Sequence, residues 1–157
     1  MRTTGCPEEK ILSFLSSQKA KDRCYRKVLS SMCTLPHPIA VRVQEMFIES
    51  NLGDPGLFEG TAEIEARLIE ELGSLLHLSG VCGYATSGGT ESNIQALRIA
   101  RKAKPVAAPN VIVPESAHFS FEKACDLLGM EMRTVPSDGG YRMDADAAAD
   151  FIDDHTI

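Results

Sequence analysis

Residues 83–103 read GYATSGGTESNIQALRIARKA and pass from an apolar segment through a glycine turn into an amphipathic pattern. With the two residues before it, this stretch predicts a strand over residues 81–86 and a helix over residues 90–103. A helix that follows a strand so directly leaves several backbone N–H groups at its start without intrahelical partners. The helix dipole adds positive charge there, so the pattern favours an anion, typically a phosphate group.

The turn itself is Ser87-Gly88-Gly89-Thr90. Its two glycines let a ligand approach the backbone closely, and the hydroxyls of Ser87 and Thr90 can donate to phosphate oxygens. The spacing matches neither the GxxxxGK[ST] phosphate loop nor the GxGxxG dinucleotide motif. From the residues alone, a phosphate site and an ordinary helix start capped by glycine and hydroxyl groups are equally good interpretations.

The chain after this helix continues to alternate between strand and helix patterns. Strands are predicted at residues 111–113 and 130–135, and helices at residues 118–128 and 145–152, the last with Asp144 as its N-cap. Ala117, Phe121, Ala124 and Leu128 are spaced so that they would share one buried face of the helix at residues 118–128. Strands that alternate with helices predict an α/β fold with a parallel sheet and right-handed crossovers.

The first half of the chain is predicted to be helical, with no strand. Its predicted helices are residues 11–17, 21–33, 39–48 and 62–78. Residues 49–61 are rich in glycine, proline and turn formers and predict a long loop, a feature that is often functional. We therefore divide the chain into a helical segment, residues 1–80, and an α/β segment, residues 81–157.

Composition narrows the possible partners and locations. The chain has 157 residues, a net charge of -6 and a pI near 5.2, which argue against a nucleic-acid partner. It contains neither an apolar stretch of about 20 residues nor a signal peptide, so we predict no membrane association and a cytoplasmic location.

Five cysteines without a CxxC pair predict no metal site and no disulfide framework. Cys82 and Cys125 lie in apolar patterns and are expected in the core.

Four stretches, in the same order as in the family, resemble the group II pyridoxal-phosphate decarboxylases. They are LPHPIA (residues 35–40), NLGDPGLFEGTAEIE (51–65), the glycine turn with its helix (83–101), and VIVPESAHFSFEKACDLLGM (111–130). The resemblance implies a truncated chain of the pyridoxal-phosphate-dependent transferase fold type I. In that fold, residues 1–80 would be an N-terminal helical segment with a substrate-side loop, and residues 81–157 the incomplete cofactor-binding large domain.

The same resemblance implies the cofactor and its ligands. Pyridoxal 5'-phosphate would be held through its phosphate by Ser87, Gly88, Gly89 and Thr90. His118 matches the histidine that stacks over the pyridine ring in this family. Without the resemblance, a histidine at a helix start is more simply a capping or surface residue.

Two segments look similar to family segments near the substrate entrance. They contain His37 and the loop residues Asn51, Leu57 and Phe58. An amino acid is the expected substrate: L-aspartate would yield β-alanine for coenzyme A synthesis, and L-tyrosine would yield tyramine for methanofuran synthesis. His37 can equally be an exposed residue in a bend fixed by two prolines, and Leu57 and Phe58 can simply be a tucked loop.

The family's Schiff-base lysine, which follows a histidine, is not present among the seven lysines of this chain. We therefore expect a fragment or one half of a split protein, completed by a separate C-terminal half or working as a homodimer when whole. The alternatives are a non-catalytic truncated remnant and a carbon–carbon lyase related to the sphingosine-phosphate lyases.

Overall fold

The computed structural model describes residues 4–29 and 34–157 and divides into two compact units. The first contains the described residues up to Phe58, and the second is Glu59–Ile157. The boundary drawn from the sequence, after residue 80, differs from this one in its assignment of residues 59–80.

The first unit contains two α-helices, α1 (Glu8–Lys19) and α2 (Pro38–Met46), and a 3-10 turn at Tyr25–Lys27. Both α-helices were predicted. The helix predicted over residues 21–33 is wrong for residues 21–29, and its last four residues lie outside the described part. Glu, Lys, Leu and Gln dominate α1, whereas residues 24–29 contain cysteine, tyrosine and valine, which have lower helix propensity.

Helix α3 (Glu59–Leu75) opens the second unit, and the segment predicted as a strand at residues 81–86 runs back along it. Three contacts join them: Val81 packs on Gly73, Gly83 lies beside Ile69, and the Ala85 N–H donates to Glu65 Oε1 at 2.7 Å. Four helical residues rise about 6 Å and two extended residues about 6.6 Å, so each fourth residue of α3 meets each second residue of the segment. No strand among the described residues pairs with this segment, so the strand predicted at residues 81–86 is wrong.

The rest of the second unit alternates helix and strand as predicted. Its elements are α4 (Gly89–Ala103), β1 (Asn110–Pro114), α5 (Ser120–Leu128), β2 (Glu131–Val135) and α6 (Ala145–Ala149). Strands β1 and β2 are parallel, with Asn110 opposite Glu131 and Pro114 opposite Val135. On the other side of β1, a parallel bridge joins Asn110 to Thr156. This arrangement confirms the predicted α/β class and parallel sheet.

The core lies between β1, β2 and α5. Its buried hydrophobic cluster is Val111, Val113, Cys125 and Met130, against which Leu97, Ala117, Phe121, Leu128, Met132 and Ile157 pack. Ala124 is also fully buried, which confirms the predicted inner face of α5. Burial raises the pKa of the Cys125 thiol. Cys82 is exposed, contrary to prediction, because it belongs to the unpaired segment beside α3.

The ends of α5 and α6 follow local chemistry. Gly129 ends α5 in the left-handed conformation (φ 61°), which glycine adopts without a Cβ clash. Asp144 caps α6, as predicted, but the helix ends at Ala149 and not at residue 152.

Candidate functional site

The glycine turn leads directly into α4, where three consecutive N–H groups have no acceptor among residues 4–29 and 34–157. The first backbone bond of α4 is donated by the Ser92 N–H to the Gly88 oxygen at 3.1 Å. Within the described residues, the N–H groups of Gly89, Thr90 and Glu91 have no hydrogen-bond acceptor. Three adjacent donors at the positive end of a 15-residue helix suit an anion.

The surface above these donors is open. A Cβ placed on Gly88 or Gly89 would meet no atom within 4 Å. The Thr90 side chain is half-buried, and its hydroxyl makes no hydrogen bond within the described part of the chain. The turn therefore combines an accessible backbone with a free hydroxyl, and this donor set fits a phosphate monoester.

Ser87, by contrast, already has a partner. Its N–H and its hydroxyl both donate to the Glu91 carboxylate, at 2.8 and 2.6 Å. These bonds lower the pKa of Glu91, the hydroxyl more than the N–H. Ser87 would have to leave Glu91 before its hydroxyl could donate to a phosphate. An acid at the third helical position is the sequence signal for this contact, since such residues reach back to N–H groups before the helix.

The back of the turn is fixed to the helix. Thr86 Oγ1 lies 2.7 Å from Ser92 Oγ and donates to the Gly88 oxygen at 3.2 Å. These bonds hold the turn in place without using the free N–H groups.

His118 lies between β1 and α5 with an exposed ring. Its Nδ1 accepts from the Ser120 N–H at 3.2 Å and lies 2.9 Å from Ser120 Oγ. Ser120 is fully buried, and its hydroxyl accepts from Asn93 Nδ2 at 2.8 Å. Asn93 lies on α4, so a chain of hydrogen bonds joins the helix of the glycine turn to His118. Asn93 falls inside the glycine-turn motif and is only a weaker candidate from the sequence, and no role is predicted for Ser120.

The candidate substrate residues belong to the first unit, whereas the turn and His118 belong to the second. His37 is exposed and caps α2, its Nδ1 accepting from the Ile39 N–H at 3.3 Å. Asn51 Oδ1 accepts from the Gly53 N–H at 3.0 Å and shapes the loop. Leu57 is exposed and Phe58 is half-buried.

Residues 4–29 and 34–157 contain neither a candidate membrane span nor a candidate metal site. No helix there combines the length and apolar character that a bilayer span requires. No cluster of three or more His, Cys, Asp and Glu side chains in the same ranges is arranged to hold a metal ion.

Comparison with curated proteins gives similarity along the whole chain. All 157 residues align, at 61% identity, with a probable L-tyrosine/L-aspartate decarboxylase of Methanoculleus marisnigri, of which they cover 43%. A probable L-aspartate decarboxylase of Archaeoglobus fulgidus is 47% identical over 147 residues, 94% of this chain and 40% of that protein. The chain thus spans less than half the length of the curated relatives it matches. No family model matches it.

Solved structures show the same fold. The chain superposes with a TM-score of 0.80 on a sphingosine-1-phosphate lyase of Burkholderia pseudomallei, at 27% identity, covering 100% of this chain and 40% of that one. For a Lactobacillus brevis glutamate decarboxylase the TM-score is 0.78, at 24% identity and with 99% and 39% coverage, which shows the fold alone. The resemblance predicted from the four motifs is confirmed: along its whole length, this chain is similar to part of proteins that are named probable decarboxylases.

Proposed function

We propose that this chain is the N-terminal, cofactor-anchoring part of an amino-acid decarboxylase that acts on L-aspartate, L-tyrosine or both. The observation that carries the proposal is the 61% identity, over the whole chain, to a protein named probable L-tyrosine/L-aspartate decarboxylase. The products would be β-alanine, a precursor for coenzyme A synthesis, and tyramine, a precursor for methanofuran synthesis.

In this proposal the glycine turn holds the phosphate of pyridoxal 5'-phosphate. The N–H groups of Gly89 and Thr90, with the Thr90 hydroxyl, would donate to the phosphate oxygens, and Gly88 would leave the approach open. Ser87 would join them once its hydroxyl leaves Glu91, whose carboxylate it contacts at 2.6 Å. When bound, the cofactor would supply an electron-withdrawing ring that takes up the electron pair released as CO₂ departs.

His118 would cover one face of the cofactor ring, for which its exposed side chain is accessible. Such stacking restricts the ring and excludes water from that face. His37, Asn51, Leu57 and Phe58 would contribute to the substrate entrance. In that role Leu57, whose side chain is 71% exposed, would offer an apolar surface to a substrate side chain.

The proposal also includes groups outside this chain. The lysine that the family links to the cofactor would come from a following segment or from a separate C-terminal polypeptide. The complete enzyme would be a cytoplasmic homodimer. In this proposal none of the seven lysines of the chain binds the cofactor. Lys123, for example, places its Nζ over the Phe119 ring, 5.6 Å from the ring centroid.

A carbon–carbon lyase is the second candidate. It is favoured by the superposition on the Burkholderia pseudomallei sphingosine-1-phosphate lyase, at 27% identity. The much higher identity to the named decarboxylases favours the first candidate.

The test begins with the gene. A reading frame downstream of this chain that encodes a histidine–lysine pair would supply the missing lysine, and the purified protein made from both parts is then assayed with pyridoxal phosphate. We expect β-alanine from L-aspartate, tyramine from L-tyrosine, or both, and loss of product when that lysine is replaced by alanine. Cleavage of a phosphorylated sphingoid base without either amine would establish the second candidate. The absence of any such frame would leave a non-catalytic remnant.

A further inference from the structure

The backbone and side-chain groups that contact His118 Nδ1 determine which ring nitrogen carries the proton. The Ser120 backbone N–H lies 3.2 Å from Nδ1, and a backbone N–H can only donate. Nδ1 must therefore be the acceptor in this contact. In a neutral imidazole one nitrogen accepts and the other donates, so the proton resides on Nε2.

The Ser120 hydroxyl leads independently to the same tautomer. It accepts from the Asn93 amide at 2.8 Å, and its own proton still needs an acceptor. Among the described residues, His118 Nδ1, at 2.9 Å, is the acceptor within reach. Ser120 has no exposed surface, so water cannot replace that acceptor, and an unmade bond would be costly.

Asn93 completes the arrangement from a different helix. It lies on α4, the helix that begins at the glycine turn, whereas Ser120 is the first residue of α5. The amide fixes the direction of the Ser120 hydroxyl, and the hydroxyl fixes the imidazole. Hydrogen bonds that start on α4 therefore set the orientation of His118, and α4 is the same helix that presents the free N–H groups.

We propose that Asn93 and Ser120 are positioning residues that hold His118 as the Nε2–H tautomer and orient its ring toward the cofactor. This inference rests on the proposed function for the identity of the group that His118 faces. It adds that neutral His118 offers no basic nitrogen: Nδ1 is occupied by two donors, and Nε2 carries the proton. His118 then acts by stacking and by donating from Nε2, and not as a general base.

The tautomer is measurable in the full chain without cofactor. Nitrogen-15 labelling of the four histidines and long-range proton–nitrogen spectra, recorded where the rings are neutral, report which nitrogen is protonated. A His118→Gln variant assigns the signals. We expect a preference for Nε2–H of about tenfold or more, and a fall of about threefold in that preference in Asn93→Ala. Ser120→Ala should lower it further, whereas Ser116→Ala, an exposed serine of the same connection, should leave it unchanged.

Equal populations, or a predominance of Nδ1–H in the unmodified chain, would overturn the inference. The backbone spectrum of α5 monitors folding in each variant. If Ser120→Ala fails to fold, Asn93→Ala carries the test, because Asn93 is only half-buried.

A second measurement separates positioning from a merely structural role. Pyridoxine 5'-phosphate carries the ring and the phosphate but no aldehyde, and inorganic phosphate carries no ring. Asn93→Ala should weaken binding of pyridoxine phosphate about threefold and leave inorganic phosphate binding unchanged. Equal weakening of both, or no change in either, would refute a role toward the ring. If the unmodified chain binds neither compound, the proposed anchoring of the cofactor by this chain fails, while the tautomer result still decides the hydrogen-bond assignment.

Discussion

The start of helix α4 differs from the start of helix α6 in how the first backbone N–H groups are bonded. At α6, Asp144 Oδ1 accepts from the N–H groups of Asp146 and Ala147, both at 3.0 Å. At α4, the N-cap is Gly88, which has no side chain to accept, and the first-turn acid turns away to Ser87.

The difference separates a helix start that is complete from one that is open to a ligand. Every helix begins with N–H groups that need acceptors, and a side-chain cap normally supplies one or two of them. A start with glycines at both the N-cap and the first helical position gives up that stabilisation. At α4 the oxygens of a phosphate group can serve as the acceptors that a side-chain cap would otherwise supply.

The largest expected effect concerns the phosphate group of the ligand. We predict that the chain binds pyridoxine 5'-phosphate about 100-fold more tightly than pyridoxine, measured by titration calorimetry. Two charge-assisted bonds of about 1.5 kcal/mol each already give this ratio. Neither compound has an aldehyde, so adducts with surface lysines do not interfere.

Asp144→Ala is the matched control for this ratio. It frees N–H groups at α6 without touching α4, and the ratio should stay the same. A ratio near one in the unmodified chain would show that an open helix start is not sufficient for phosphate binding.

Next in size is the contribution of the Thr90 hydroxyl. Thr90→Val keeps the branched shape and the backbone N–H but removes the donor, so pyridoxine phosphate should bind about tenfold more weakly. Thr4→Val, at an exposed threonine of the first unit, serves as the control and should bind normally. If Thr90→Val bound pyridoxine phosphate as tightly as the unmodified chain, the Thr90 hydroxyl would contribute nothing and the backbone N–H groups would form the phosphate site.

The fold was predictable wherever burial follows the local pattern. The spacing of Ala117, Phe121, Ala124 and Leu128 predicted the inner face of α5, and the alternation predicted the parallel pair β1–β2. The segment at residues 81–86 has an equally apolar pattern, but its neighbour is α3. No local pattern specifies whether an extended segment lies beside a strand or a helix.

The candidate site was predictable to the same extent. Glycines and hydroxyls at a helix start are visible in the sequence, so the turn was found. The bond from Asn93 to Ser120 joins residues 27 apart and depends on how α4 packs on α5. The Ser87–Glu91 contact is local, but the choice of Ser87 over a ligand depends on a rotamer that spacing does not fix.

A smaller effect is expected at the capped helix. Asp144→Ala should lower the free energy of unfolding by about 1 kcal/mol, because two N–H groups lose their acceptor. Urea denaturation with circular dichroism measures it. Asp150→Ala removes an acid from the other end of α6, where the dipole is negative, and should cause no loss. Similar losses in both variants would mean that net charge and not capping is responsible.

The smallest effect is expected from the acid of the open helix. Glu91→Gln removes one negative charge beside the proposed phosphate site and keeps an oxygen that can accept from Ser87. Because the pKa of Glu91 is lowered, the carboxylate is charged at neutral pH, and its contact with Ser87 is lost only as the pH falls through that lowered value. Pyridoxine phosphate should therefore bind about threefold more tightly to Glu91→Gln at neutral pH, with a smaller gain at high salt.

Asp146→Asn, at the start of the capped helix, is the control and should leave the binding of pyridoxine phosphate unchanged. Weaker binding by Glu91→Gln would instead show that the carboxylate shapes the turn for its ligand, so that the order it imposes on Ser87 outweighs its repulsion of phosphate.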